Sequence, residues 1–192
     1  MACTSLTKGR GLDCSRISGG VKYLYFSVYD DFARADWSYT TGTEGEIDTI
    51  DFQSSTIYRY AVPRGSTTAN ETLTGSTENG TLFYTPTVNM VLNRLTKEDQ
   101  NEIKLLGQTQ VRVFAQLNAT LASGNDVIVC LGMHNGMAMN AGTADSGAGF
   151  GDRNGYTLTF DGLEAQPMAM LEDYTSTPFD NGGITNLTID TN

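Results

Sequence analysis

Histidine, cysteine, tryptophan and proline are all scarce in this chain of 192 residues, which has one His, three Cys, one Trp and four Pro. A lone histidine, His134, with Cys3, Cys14 and Cys130 far apart, offers no zinc-ligand spacing. No Cys-x-x-Cys, His-Glu-x-x-His, Gly-x-Ser-x-Gly or phosphate-loop Gly-Lys-Ser/Thr pattern occurs. Three cysteines are too few for a disulfide framework. One Cys3–Cys14 bridge is conceivable, and reduced thiols in a cytosolic chain are the plainer reading. Cations are also few: 12 Lys and Arg against 22 Asp and Glu give a formal charge of -10 and a sequence pI near 4.4. Such a surface repels nucleic acid and lacks the basic stripe a nucleic-acid binder needs. A conduit for DNA gains from that repulsion, because every lysine on a phosphate adds drag. Long apolar runs are missing as well. Nothing follows Lys8 and Arg10 that resembles a signal peptide, and no stretch approaches the roughly 18 apolar residues of a membrane helix. The expectation is a soluble chain that folds where it is made and has no membrane partner.

What is present is alternation. A length of 192 residues suits one domain with extensions. We read residues 1–20, rich in Thr, Ser and Gly, as an N-terminal arm, and residues 21–192 as one β domain. Val21 to Tyr29 is the first strand, with Tyr23, Tyr25 and Tyr29 on one face and Leu24, Phe26 and Val28 on the other. Bulk on both faces predicts a sheet on one side and a helix or another subunit on the other. Asp36 and Trp37 are assigned to a loop, followed by strands over Ile47–Phe52 and Ile57–Val62 with a turn at Gln53-Ser54-Ser55. Residues 64–80 are almost entirely polar and read as a flexible loop or as a long exposed hairpin whose strand fragments, around Glu71 to Thr74 and Thr81 to Thr85, flank residues 75–80, and Thr87 to Leu95 reads as a separate strand. Thr96 is a good N-cap, with Asp99 three residues on, for a helix over 97–106 that Gly107 ends. Two strand runs follow, Gln110–Leu117 with Val111, Val113, Ala115 and Leu117 on one face, and Asn125–Leu131. The segment 132–149 is unusually rich in Gly, Ala, Met and Asn and suits an interface loop or a strand pair. Gly155–Gly162 alternates again, with Tyr156, Leu158 and Phe160 together. Leu163 to Leu171 crosses between elements, and Ile184, Leu187 and Ile189 mark an edge strand. The resulting fold class is mainly β: a β-sandwich or partly closed antiparallel barrel with one short flanking helix, an extended arm and a long hairpin.

No residue is assigned a catalytic, cofactor-binding or metal-ligating role, and no cofactor is expected. His134 between Gly132 and Gly136 fits ordinary hydrogen bonding in a turn better than general-base work. Cys130 on an apolar strand lacks the exposure and basic neighbour of a nucleophile. Carboxylate pairs occur at Asp30/Asp31, Glu44/Glu46, Glu98/Asp99 and Glu172/Asp173, but adjacent residues on a strand point oppositely, so adjacency alone does not build an acid/base pair. Asp145, Asp152 and Asp161 do not match a calcium-loop spacing.

The opening Met1-Ala2-Cys3 with Leu6-Thr7-Lys8-Gly9-Arg10, the Gly19-Gly20-Val21 lead into a Tyr/Phe-rich strand, the helix near Thr96, and the closing block Gly151-Asp152-Arg153-Asn154-Gly155-Tyr156-Thr157-Leu158-Thr159-Phe160-Asp161-Gly162-Leu163-Glu164-Ala165-Gln166-Pro167 together resemble bacteriophage tail tube proteins over nearly the whole chain. The resemblance implies a structural, non-enzymatic virion protein made in the host cytoplasm. In that family six subunits form a ring whose inner strands join into one barrel, and rings stack into a hollow tail tube. Implied partners are other copies of the chain, a tape-measure protein, a tail terminator, a baseplate or hub protein and, in contractile tails, a sheath. Viral DNA passes the lumen without specific binding. Two other readings stand beside this one. One is a tail terminator or connector ring of the same particle. The other is a carbohydrate-binding or adhesin β-sandwich in which Tyr23, Tyr25, Tyr58 and Tyr60 form a sugar platform.

Overall fold

Residues 9–11 and 17–191 are described in a computed structural model of the chain. Among them the fold is mainly β, with two sheets, one α-helix and no closed barrel. The larger, nine-stranded sheet is centred on β1 (Val21–Val28), with β7 (Val111–Thr120) and β8 (Asp126–Leu131) beyond it as antiparallel neighbours. On the other side of β1 lies β4 (Thr56–Ala61). Beyond β8 come β11 (Ala169–Leu171), β3 (Thr43–Asp51) and β2 (Trp37–Thr40). The tail contributes β12 (Ile184–Thr185) on β3 and β13 (Thr188–Asp190) on β4. These tail pairings and the β11–β3 pairing are parallel, so the sheet is mixed rather than wholly antiparallel. The smaller sheet holds β5 (Thr68–Ser76), β6 (Thr81–Asn93), β10 (Gly155–Asp161) and β9 (Ala138–Asp145), in the order β5-β6-β10-β9 with every pair antiparallel.

Two hydrophobic cores flank the larger sheet. Alternation along β1, β7 and β8 sends Leu24, Phe26, Val113, Ala115, Val129 and Leu131 to one face, where they meet Val88, Met90, Tyr156, Leu158 and Phe160 of the smaller sheet. It sends Tyr25, Phe114, Ile128 and Cys130 to the other, where Trp37, Ile47, Ile50, Phe52, Ile57 and Phe179 close over them. The bulk on both faces of β1 is therefore covered within the chain, with Ile103 and Leu106 of the helix also packing on the Phe26 side, and no second subunit is required for it. Trp37 corrects the loop assignment: it opens β2 and is buried. Phe114 stacks edge-on against Phe179, with ring centroids 5.5 Å apart, and lies 6.0 Å from Phe52. The turn expected at 53–55 is present, with Gln53 and Ser54 both at positive φ.

Helix α1 spans Lys97–Leu106, as the sequence predicts. Thr96 Oγ1 accepts from the Asp99 N–H at 3.0 Å and donates to the Asp99 carboxylate at 2.6 Å. Gly107 ends the helix in ordinary αR geometry, its N–H donating to Ile103 O, and a Cβ there would meet only the flexible end of Met139, at 2.9 Å from Cε. The two strands expected over 81–85 and 87–95 are a single strand, β6, that runs through Pro86. Pro86 O accepts from the Gly162 N–H, so the backbone of residue 86 faces the β10 side just past the end of that ladder. The missing N–H thus takes no bond from β5. Most of the expected arm lies outside the described residues, as do Cys3 and Cys14; its described residues 9–11 and 17–20 are exposed.

Candidate assembly surface

The smaller sheet buries one face and leaves the other, with both outer strands, in solvent. The residues of β5 and β6 over 68–76 and 81–93 form the long hairpin expected of the polar segment, closed by a turn over 77–80. Its distal half projects past the core and exposes Leu73, Leu82 and Phe83. The Gly/Ala/Met/Asn reach becomes the edge strand β9, exposed along nearly its whole length. Neither edge carries the lysine or proline that usually guards one.

Backbone alternation fixes what each edge offers. Tyr84 and Glu164 exchange backbone hydrogen bonds of 2.8 Å, and the Val91 N–H turns the other way, to Thr67 Oγ1. Even-numbered residues of β6 therefore face β10 and odd-numbered ones face β5. Carried through the registers, Gly142 and Ala144 direct their N–H and C=O groups outward from β9, and Ala69, Leu73 and Gly75 do so from β5. Near the middle of β5, the Met168 N–H donates to Glu71 Oε1.

The open face of this sheet is lined by Thr72, Thr85, Thr87, Asn89, Thr157 and Thr159. Its strands contain no Lys or Arg at all; Asp145 and Asp161 on the open face are its formal charges there. Arg153 lies outside the strands and donates to Thr157 Oγ1. A second feature is an apolar cleft of about 220 Å³ between α1 and the β1–β4 surface, floored by Phe26, Val28, Leu105, Leu106 and Val111.

The described residues with potential chemistry are each held in local structural contacts. His134 Nε2 lies 3.0 Å from the Tyr39 hydroxyl and its ring packs on Trp37; burial first, then Arg34 and Arg112, lowers its pKa. Arg112 is buried, donating to the carbonyls of Met133, Phe32 and Tyr29 while its guanidinium lies 4.2 Å from the Tyr29 and Phe32 rings. That arrangement ties the 29–32 turn to the ends of β7 and β8. Glu164 is 4% exposed. Its Oε1 accepts from the Asn135 N–H, its Oε2 has no partner, and burial raises its pKa. Cys130 is a buried free thiol whose pKa burial pushes far up, the opposite of nucleophile activation.

Each carboxylate pair is dispersed into local bonds. Glu98 pairs with Lys97, Asp99 caps α1, Asp173 accepts from Asn125 and Glu172 from Asn181. Asp30 and Asp31 form a short 3-10 turn; the side chain of Glu44 is outside the described set, and Glu46 sits on β3. Asp145 and Asp152 fasten the 145–152 turn by accepting from Gly147, Ala148 and Gly149 N–H groups, while Asp161 bonds Asn140. Among the described residues, no three His, Cys, Asp or Glu side chains gather as a metal site. No helix among them is long and apolar enough to cross a membrane.

The four tyrosines of the sugar-platform reading do not share a face. Tyr25 is buried with its hydroxyl donating to Gln116, burial raises its pKa to about 12, and Tyr23 packs on the same core, that of Phe114. Tyr58 and Tyr60 pair with Phe26 and Leu24 and so point to the opposite face, Tyr60 edge-on to Phe26. Sequence reasoning left the β9 segment open between an interface loop and a strand pair, and missed the α1 cleft. The edge shows only as low polarity without hydrophobic period; the cleft has no local signal. Comparison with known proteins gives no match to any family model, curated protein or solved structure.

Proposed function

We propose that this chain is a structural subunit of a phage tail tube, forming stacked hexameric rings around a channel through which the genome passes. The observation that carries the reading is the four-stranded sheet with two unguarded edges and an open face whose strands carry no lysine or arginine. Because all three pairings in it are antiparallel, β5 and β9 run in opposite directions. Rotating a second copy about a ring axis brings its β5 beside the first copy's β9 in antiparallel sense, and the step repeats around the ring. Every edge is then paired, which is how a closed assembly removes exposed strand edges. Six copies of a four-stranded sheet at ordinary strand spacing and tilt enclose a barrel about 50 Å across between backbones, wide enough for a duplex.

In such a barrel the buried face stays outward against the nine-stranded sheet, and the threonine, asparagine and aspartate face lines the channel. Hydroxyls and carboxylates give phosphates little to hold, and the Arg153 guanidinium that reaches the face is engaged by Thr157, so DNA slides. The hairpin tip, with Leu73 and Leu82 exposed, projects along the strand direction toward the next ring. The test is negative-stain electron microscopy of the purified chain with its solution mass, in the presence and absence of a preformed tail end as seed. Hollow rings or tubes with six-fold symmetry are expected. A chain that stays monomeric at high concentration even when seeded would overturn the proposal.

A further inference from the structure

Phe150 is fully exposed, yet it stands on an ordered turn. The Asp152 carboxylate accepts from the Ala148 and Gly149 N–H groups, Asp145 accepts from Gly147, and Asn154 holds the turn to the chain before α1 by accepting from the Arg94 and Leu95 N–H groups. A phenylalanine held out on a fastened loop is costly in water and is the kind of residue that anchors an interface. The same chain carries an empty apolar cleft of about 220 Å³ beside α1, room for one aromatic ring, with Leu105 exposed at its mouth.

Knob and cleft lie toward opposite ends of the molecule. Phe150 caps the end of β9 and β10 where β6 gives way to α1. The cleft opens around Glu102, Leu105, Leu106 and Thr109, near the helix end whose Gly107 abuts Met139 at the start of β9. Both surfaces are mixed in charge and can pair: Arg153 with Asp145 and Asp152 flanks the knob, while Glu102 lines the cleft and Glu98, Asp99 and Arg59 line the groove that continues from it.

We infer that Phe150 of one copy seats in the α1 cleft of the next copy along the strand direction, with Arg153 meeting the Glu102 side of the mouth. Because knob and cleft are different surfaces, the contact is heterologous and repeats head to tail, as stacking requires. This rests on the tube reading and adds the contact that joins one ring to the next.

The test uses the full chain with a photoreactive phenylalanine at position 150, and in parallel the surface variants Phe150→Ala and Leu105→Asp. Cross-links between isotopically distinct copies are expected on peptides containing residues 102–109 or 56–61. Both variants should still form rings but need at least tenfold more protein to lengthen, and Phe150→Leu should recover most of the loss. Cross-links landing elsewhere, or tubes of unchanged length from Phe150→Ala, would overturn this contact and leave the tube reading standing. If the wild-type chain forms no rings under seeding, both fail together.

Discussion

The nine-stranded sheet is packed on both faces by the chain's own residues, whereas the four-stranded sheet packs one face and leaves the other, with two long edges, in water. In the first, β7 is buried at six successive positions, Val111 to Gln116, including an arginine whose donors are taken by backbone carbonyls. In the second, β9 is exposed at nearly every position and its strand character comes from the β10 ladder alone. One sheet is finished by folding; on the tube proposal, the other is finished by a neighbour. Substitutions should therefore act on stability in the first and on association in the second.

The largest stability loss is expected at the centre of the first sheet. Phe114→Ala removes a fully buried ring that meets Phe52 and Phe179 and should cost about 3–5 kcal/mol in chemical denaturation, since the surrounding rings can close the cavity only in part. A cost below 1 kcal/mol would mean that this core is loosely packed and that the contrast between the sheets is false.

A smaller, pH-dependent effect is expected at Glu164, where the backbone joins the hairpin root to the chain leaving β10. Burial raises its folded pKa above the unfolded value of 4.5, so its contribution is most favourable below that value and is lost as pH rises through the folded pKa. Glu164→Gln should match wild type near pH 4 and exceed it at pH 8 by on the order of 1 kcal/mol, because a buried negative charge is replaced by a neutral amide of the same shape. Thermal melts across that range check the sign. A variant less stable than wild type at pH 8 would show that the carboxylate is compensated.

The smallest stability effect should accompany the largest change in association. Ala144 turns its N–H away from β10, so Ala144→Pro takes no bond from the ladder and should alter monomer stability by no more than about 1 kcal/mol. Sedimentation of the variant should nevertheless show rings lost, because the donor it removes is one the neighbour's β5 needs. Normal assembly by this variant would move the interface away from the β9 edge.

Much of this architecture can be read from the residues. Tyr156, Leu158 and Phe160 share a buried face because a strand packed on one side writes its geometry into a period of two. Thr96, Asp99 and the break at Gly107 mark α1 because end chemistry is local. The covering of β1 on its second face is not readable, since Phe52 and Phe179 arrive from turns far away in sequence. Nor does β9 announce itself. With almost no buried side chain it has no hydrophobic period, and small residues are equally at home in a loop. Merging of residues 81–93 into one strand hinges on which way Pro86 faces, which only the Gly162 bond decides. The open face could be suspected from the net charge, but the charge says nothing of where cations are missing. That follows only from the pairing of four segments scattered between residues 68 and 161.

Amide hydrogen exchange of the dispersed and assembled chain, followed by mass spectrometry, tests the central claim most directly. On assembly, peptides covering β5 and β9 should gain protection together, while β7 and β8, already buried, should change little. Protection gained on the outer strands of the nine-stranded sheet, with β5 and β9 still exchanging freely, would contradict the claim that the four-stranded sheet is the one a neighbour completes.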